Sequence, residues 1–229
     1  MYKKKQFQKI EKKYNKYQDG GSVGFMMGIC HKGLEINNNL GSNSNILEIG
    51  AGSSPHINYL NHNYKKYYFL ESSNFAIKFL KKKFKKNKKV FFKYYNNNNI
   101  PFKNNYFDRI IISHVLEHIP DPESYLSQMF KLLKKNGIIS IALPSDPGIL
   151  WRLGRFFLKI IKVKKILNIT NEEYDYMIAT EHINSIFNLI SIIKYKYQKN
   201  IVRENYLPFK VKSLDLNLFY NVTLKKWSN

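Results

Sequence analysis

Five short runs rich in β-branched and aromatic residues recur along this sequence with helix-patterned stretches between them, and that alternation restricts the fold more than any other feature. The runs are Ile46-Leu47-Glu48-Ile49, Tyr67 to Leu70, Val90 to Tyr94, Phe107 to Ser113 and Ile138 to Leu143. Between them, His56 to Asn63, Asn74 to Lys86 and Pro122 to Lys135 carry helical signals, the last closing on Asn136-Gly137, a C-terminal stop. Strands separated by helices are joined by crossovers, so the pattern predicts βαβ units and a parallel sheet. A further helix is expected over His182 to Lys196, and late strands over Asn200 to Tyr206 and Leu216 to Leu224. Residues 1–40, a lysine-rich helical stretch followed by Gly20 to Gly28, read as an N-terminal helical arm or lid ahead of a main domain at 41–229.

With 229 residues, 44% of them hydrophobic, the chain can bury a core despite a net charge of +22. Cys30 is the sole cysteine, which excludes an internal disulfide and a cysteine-based zinc site. No apolar run approaches the ~18 residues of a membrane span, and Met1 to Lys16 is basic and polar rather than a signal core. The expectation is a cytoplasmic protein. The charge alone suggests a polyanion partner. Yet only four of the 38 basic residues are arginine, and Lys, Asn, Ile, Tyr and Phe abound together, which is also what a genome rich in A and T would encode. Eight lysines fall between Lys78 and Lys89, mostly late in an expected helix where cations complement its dipole.

Three places carry chemistry. Glu48-Ile49-Gly50-Ala51-Gly52-Ser53-Ser54 follows the first strand directly, where glycines allow the backbone close to a ligand. A dinucleotide fingerprint would need glycine at position 55, which is Pro55, so a nicotinamide or flavin domain is disfavoured. Glu71 ends the second strand, 19 residues beyond Gly52, and its two carboxylate oxygens suit vicinal ribose hydroxyls. The third is Ile100-Pro101-Phe102 with the run Tyr106 to Pro120, which includes Ser113-His114-Val115-Leu116-Glu117-His118. Its H-x-x-E-H string is used by some zinc peptidases, but a strand before it and Pro120 after it leave room for about one helical turn, too short to align both histidines; no metal is expected.

Ordered in this way, these residues resemble the class I S-adenosylmethionine-dependent methyltransferases, of the type 11 kind, over about residues 45–144. Leu132 to Gly137, an apolar strand and Pro144 add to the likeness. The resemblance implies an α/β, Rossmann-like, seven-stranded and mostly parallel sheet with helices on both faces and an antiparallel last strand. It implies S-adenosylmethionine as cofactor, with Gly50, Ala51 and Gly52 under its methionine part, Glu48 at its amino group, and Glu71 and Ser72 at the ribose. Asn96 falls where an acid usually faces the adenine, and Ser113 and His114 would lie along the cofactor. A hydroxyl acceptor would benefit from a general base, for which His182, His114 and His118 are the candidates.

The acceptor is less legible. A long stretch from Pro144 to Glu181 is expected to shape its pocket. Within it, Ile149 to Leu167 is amphipathic, with Arg152, Arg155, Lys159 and Lys162 on one face and Leu153, Phe156, Phe157 and Ile160 on another. Such a helix suits an anionic membrane surface, and equally suits a lid whose apolar face packs on the core. Short strings around Pro144 to Gly148, Trp151 to Arg155, Glu181 to Ser185 and Leu216 to Phe219 are similar to methyltransferases of bacterial surface-polysaccharide clusters. The reading is a methyltransferase acting on a small-molecule or glycan acceptor at oxygen or nitrogen, peripheral to the inner membrane face if that helix docks there. Alternatives are an RNA methyltransferase using the lysines, against which no RNA-binding module is visible, and a non-catalytic scaffold, against which stand Glu48, Gly50, Gly52 and Glu71.

Overall fold

The computed structural model describes residues 21–35, 40–95, 100–160 and 169–227. Asn96, the stretch before Gly21 and the end of the 149–167 segment, with Lys162, lie outside them. In chain order come α1 (Gly21–Leu34), β1 (Asn45–Ile49), β2 (Lys66–Glu71), α2 (Asn74–Lys83), β3 (Val90–Tyr94), β4 (Phe107–Ser113), α3 (Pro122–Leu132), β5 (Leu133–Pro144), α4 (Ile149–Leu158), α5 (Asn171–Glu181), α6 (Ile186–Tyr197), β6 (Ile201–Leu207) and β7 (Phe219–Lys225).

One seven-stranded sheet has the order β3-β2-β1-β4-β5-β7-β6, with β7 antiparallel to both neighbours and β1 to β5 parallel. Period-two alternation gives each inner strand two apolar faces. Leu47, Ile49, Leu70, Ile110, Ile112, Ile139 and Ile141 look toward Leu126 and Met129 of α3 and Leu189 and Ile193 of α6. Ile46, Tyr67, Phe69, Ile111 and Ala142 look the other way, toward Cys30 and Leu34 of α1 and Leu80 of α2.

Local signals set the helix starts. Ser73, Asp121, Thr170 and Ser185 each accept a hydrogen bond from a first-turn backbone N–H, and Thr170 forms a full capping box with Glu173. Three expected boundaries are corrected. His56 to Asn63 is not a helix but a single 3-10 turn, His56–Tyr59, because the N–H groups of His56 and Asn61 go to the carboxylates of Glu48 and Glu35. The helix after Asp121 ends at Leu132, since Leu133 already pairs with Phe107 in the sheet. His182 does not open a helix: it is the C-cap of α5, and α6 begins behind Ser185. No helix among the described residues is long and apolar enough to cross a membrane.

Candidate active site

The strand order reverses between β1 and β4, and ligands in open α/β sheets bind outside the carboxyl ends at such a point. There the chain has a cavity of about 440 Å³ lined by the 50–54 turn, Ser113 to His118, α1, and the helices inserted after β5.

Gly50 and Gly52 both have positive φ, 65° and 55°. A Cβ on Gly50 would stand 2.6 Å from Val115, so glycine is required by conformation and space together. At Gly52 nothing lies within 4 Å of that position, which leaves the turn open toward the cavity. Its N–H donates to Glu71 Oε1 at 2.7 Å, tying the turn to the end of β2. Glu48 lines the cavity too, but both of its oxygens already accept: one from His56 N at 2.6 Å, the other from the Tyr67 hydroxyl at 2.5 Å. Burial pushes its carboxyl up to about 7 against those bonds. Ser113 Oγ is buried at the cavity wall without a hydrogen-bond partner, and His114 follows it with φ 54°.

One cavity residue had no sequence signal. His31 of α1 sits over the 3-10 turn, its ring stacked on Tyr59. Behind it, Arg109, fully buried, donates to Glu35 Oε1 at 2.7 Å, Ser140 Oγ at 3.0 Å and the Leu34 carbonyl at 3.1 Å. His56 Nε2 meets the same Glu35 oxygen at 2.7 Å, and His56 Nδ1 lies 3.1 Å from His31 Nδ1. Burial would raise the Glu35 carboxyl, but the His56 bond and the Arg109 charge hold it at about 2. Burial keeps both imidazoles below their ordinary range, so they are neutral. The anion therefore takes the proton-bearing Nε2 of His56, whose bare Nδ1 accepts from His31 Nδ1. His31 Nε2 is left as a buried acceptor without a partner, in a residue that lines the cavity.

The opposite wall is built by two turns clamped together. Asn184 donates from its side chain to the Leu116 and Ile119 carbonyls at 3.2 and 2.7 Å, and from its backbone to the Glu117 carbonyl at 3.1 Å. This places His182 against Glu117 and His118, although it stands at the end of α5 and they share a 3-10 turn after β4. His182 Nδ1 is 3.0 Å from Asp146 Oδ2, to which Arg155 also donates at 3.0 Å. Burial opposes charge on Asp146, but the His182 bond and the Arg155 charge hold its carboxyl below the ordinary range. His118 Nδ1 donates to the Glu181 carbonyl at 2.7 Å. Glu117 is buried, yet the nearby His114 and His118 rings keep its carboxyl low against that burial. The three candidate bases thus differ: the His182 and His118 rings meet edge to face with centroids 5.1 Å apart, whereas His114 Nε2 lies 3.6 Å from Cys30 Sγ.

α4 closes the cavity with Trp151, Gly154, Arg155 and Leu158, one helical stripe. Two cations of this segment pair with acids from outside the helix, Arg155 with Asp146 and Lys159 with Asp175, Arg152 stays exposed, and Leu153, Phe156, Phe157 and Ile160 are 48–65% exposed. Of the two expectations for this segment, a lid with its apolar face packed on the core is not what the helix shows, since that face is exposed.

Residues 47–141 match the family described as a methyltransferase domain. No curated protein matches the sequence. Among solved structures, the chain is similar to the CurJ carbon methyltransferase, with 18% identity over 93% of this chain and TM-score 0.60, and it spans 57% of that protein's length. It is similar to an S-adenosylmethionine-dependent methyltransferase from Aquifex aeolicus, with 14% identity, 93% of this chain, 97% of that one and TM-score 0.60. It is also similar to the N-methyltransferase NodS from Bradyrhizobium japonicum, solved with S-adenosyl-L-homocysteine, with 14% identity, 92% and 90% coverage and TM-score 0.59. The matched methyltransferase domain thus runs from β1 into β5, and the sheet around it has the fold of these solved S-adenosylmethionine-dependent methyltransferases.

Proposed function

We propose that this methyltransferase moves a methyl group to the oxygen or nitrogen of a small-molecule or glycan acceptor. The observation that carries the reading is the two-ended cavity: a glycine turn, tied from behind to Glu71, at one end, and the wall of Glu117, His118 and His182 at the other, under helices inserted after β5. Its volume falls in the range of small-ligand sites, not of a groove for a folded polymer. The lysines of 81–89 stand in the last turn of α2 and the turn after it, and none of them lines this cavity, which gives a nucleic-acid acceptor no support.

The residues present fit the cofactor. The open space at Gly52 admits a ligand against the backbone, Glu71 offers carboxylate oxygens to ribose hydroxyls, and the orphaned acceptor of His31, which lines the same cavity as Glu48, suits an ammonium. Gly50, Ala51, Ser72, Ser113 and His114 complete this side, and α1 roofs it. When bound, S-adenosylmethionine supplies an already electrophilic methyl group. What remains for the chain is to hold the acceptor in line, exclude water and deal with its proton. Residues 144–160 and 169–181 enclose the acceptor, and the Glu117-His118-His182 wall receives its polar end, with the His182 ring fixed by Asp146. The exposed apolar face of α4, next to Arg152 on a chain of net charge +22, suits docking on an anionic lipid surface and an acceptor presented there.

A methyl-transfer assay with labelled donor against fractionated cell extract tests this. Label is expected in a small-molecule or glycan fraction; label confined to RNA or protein contradicts the reading.

A further inference from the structure

Glu117, His118 and His182 meet in a way that a wall for hydrogen bonding does not require. One donor atom from each lies within 4.8 Å of the other two, and Glu117 Oε1 is 3.8 Å from His118 Nε2. Each imidazole commits Nδ1 to a hydrogen bond, His118 to the Glu181 carbonyl and His182 to the Asp146 carboxylate, which puts the lone pair of each neutral ring on Nε2. That is the arrangement found around metal-bound histidines, where a carbonyl or carboxylate fixes the tautomer and the ring orientation. Glu117 Oε2 is buried with no hydrogen-bond partner, in a residue 2% exposed that lines the cavity. An orphaned carboxylate oxygen is costly unless a cation or donor satisfies it.

We propose that Glu117, His118 and His182 bind a first-row divalent cation of the manganese, iron, cobalt or zinc type, with its remaining positions open to the cavity for the acceptor. Two imidazoles and one carboxylate suit those ions better than magnesium, which prefers oxygen donors. The ligand set is not that of the H-x-x-E-H string read as a helical pair: residues 116–118 form one 3-10 turn, and the third ligand arrives from the end of α5, held by Asn184. His114 is not part of it. The inference rests on the methyltransferase reading for its role. A hydroxyl held on the cation becomes more acidic; its O–H bond breaks, the proton leaves to water, and the electron pair stays on oxygen. That pair forms the new C–O bond as the C–S bond breaks, its own pair remaining on sulfur.

The test is calorimetric titration of the chelator-stripped full chain with MnCl₂ and with ZnCl₂, alongside a titration with S-adenosylmethionine. One cation per chain is expected. Glu117→Gln and His182→Ala are expected to weaken it strongly, and Asp146→Asn, which holds the His182 ring from behind and pairs with Arg155, by about 10–100-fold. Each variant's cofactor titration and thermal melt report whether it is folded, and Glu117→Gln stands in if His182→Ala is not. Absence of saturable binding of either ion, or equal binding by folded Glu117→Gln, overturns the cation site. A chain that binds cofactor and transfers methyl while stripped of metal overturns the cation and leaves the methyltransferase reading; a chain that binds the cation but no cofactor does the reverse.

Discussion

Arg109 is the largest fully buried side chain, and its charge is tolerable only because Glu35 reaches it from the end of α1. An arginine taken out of water without its partner costs several kcal/mol, so this pair fastens α1, and with it His31, over the sheet. The consequence is measurable in acid. The Glu35 carboxyl is lowered from 4.5 to about 2, so its contribution is complete above pH 4.5 and is lost as pH falls from there toward 2. That shift corresponds to about 3 kcal/mol. The stability gap between wild type and Glu35→Gln in urea unfolding is therefore expected to be widest near neutral pH and to narrow steadily on acidification. A gap that stays constant down to about pH 2 contradicts this origin for it. Local residues such as Gly50, Gly52, Glu71 and Ser113 were legible because a strand-to-turn signal and spacing identify them. His31, Asp146 and Asn184 were not, because their roles arise only when distant segments pack: His31 through His56, Asp146 through His182, and Asn184 through the 116–119 carbonyls.

At the scale of elements, α4 divides its residues by destination. Trp151, Gly154, Arg155 and Leu158 line the cavity, and Phe156, Phe157 and Ile160 face out. A stripe of this size on a cationic protein is expected to partition to phosphatidylglycerol vesicles in flotation. Phe156→Glu combined with Phe157→Glu removes about 1.5–3 kcal/mol per ring, so flotation should fall more than tenfold while cofactor affinity stays unchanged. Equal flotation of the double variant, or none by the wild type, contradicts the membrane face. The amphipathic period of this segment was plain in the sequence, but not which side would be covered. Asp146 and Asp175, which pair with Arg155 and Lys159, come from outside α4 and belong to no local pattern. Helix ends were misplaced for a similar reason: tertiary acceptors took the N–H groups of His56 and Asn61, and sheet pairing took Leu133.

Across the whole molecule, parallel strands deliver the loops after β1, β2, β4 and β5 to one edge of the sheet, and every described residue given to cofactor or acceptor stands on that edge or on helices packed over it. The sheet itself was legible because buried parallel strands write continuous apolar runs into the sequence. The charge of +22 proved uninformative about the site, since the cavity is lined by few cations and Arg155 among them is paired. The central claim is that this edge holds S-adenosylmethionine against the glycine turn, with Glu71 at its ribose. Titration calorimetry of the wild-type chain and Glu71→Ala with S-adenosylmethionine tests it most directly. One site per chain is expected, with affinity reduced about 10–100-fold in the variant, as for lost hydrogen bonds to a charged group. No saturable binding by the wild type, or equal affinity in the two proteins, would contradict it.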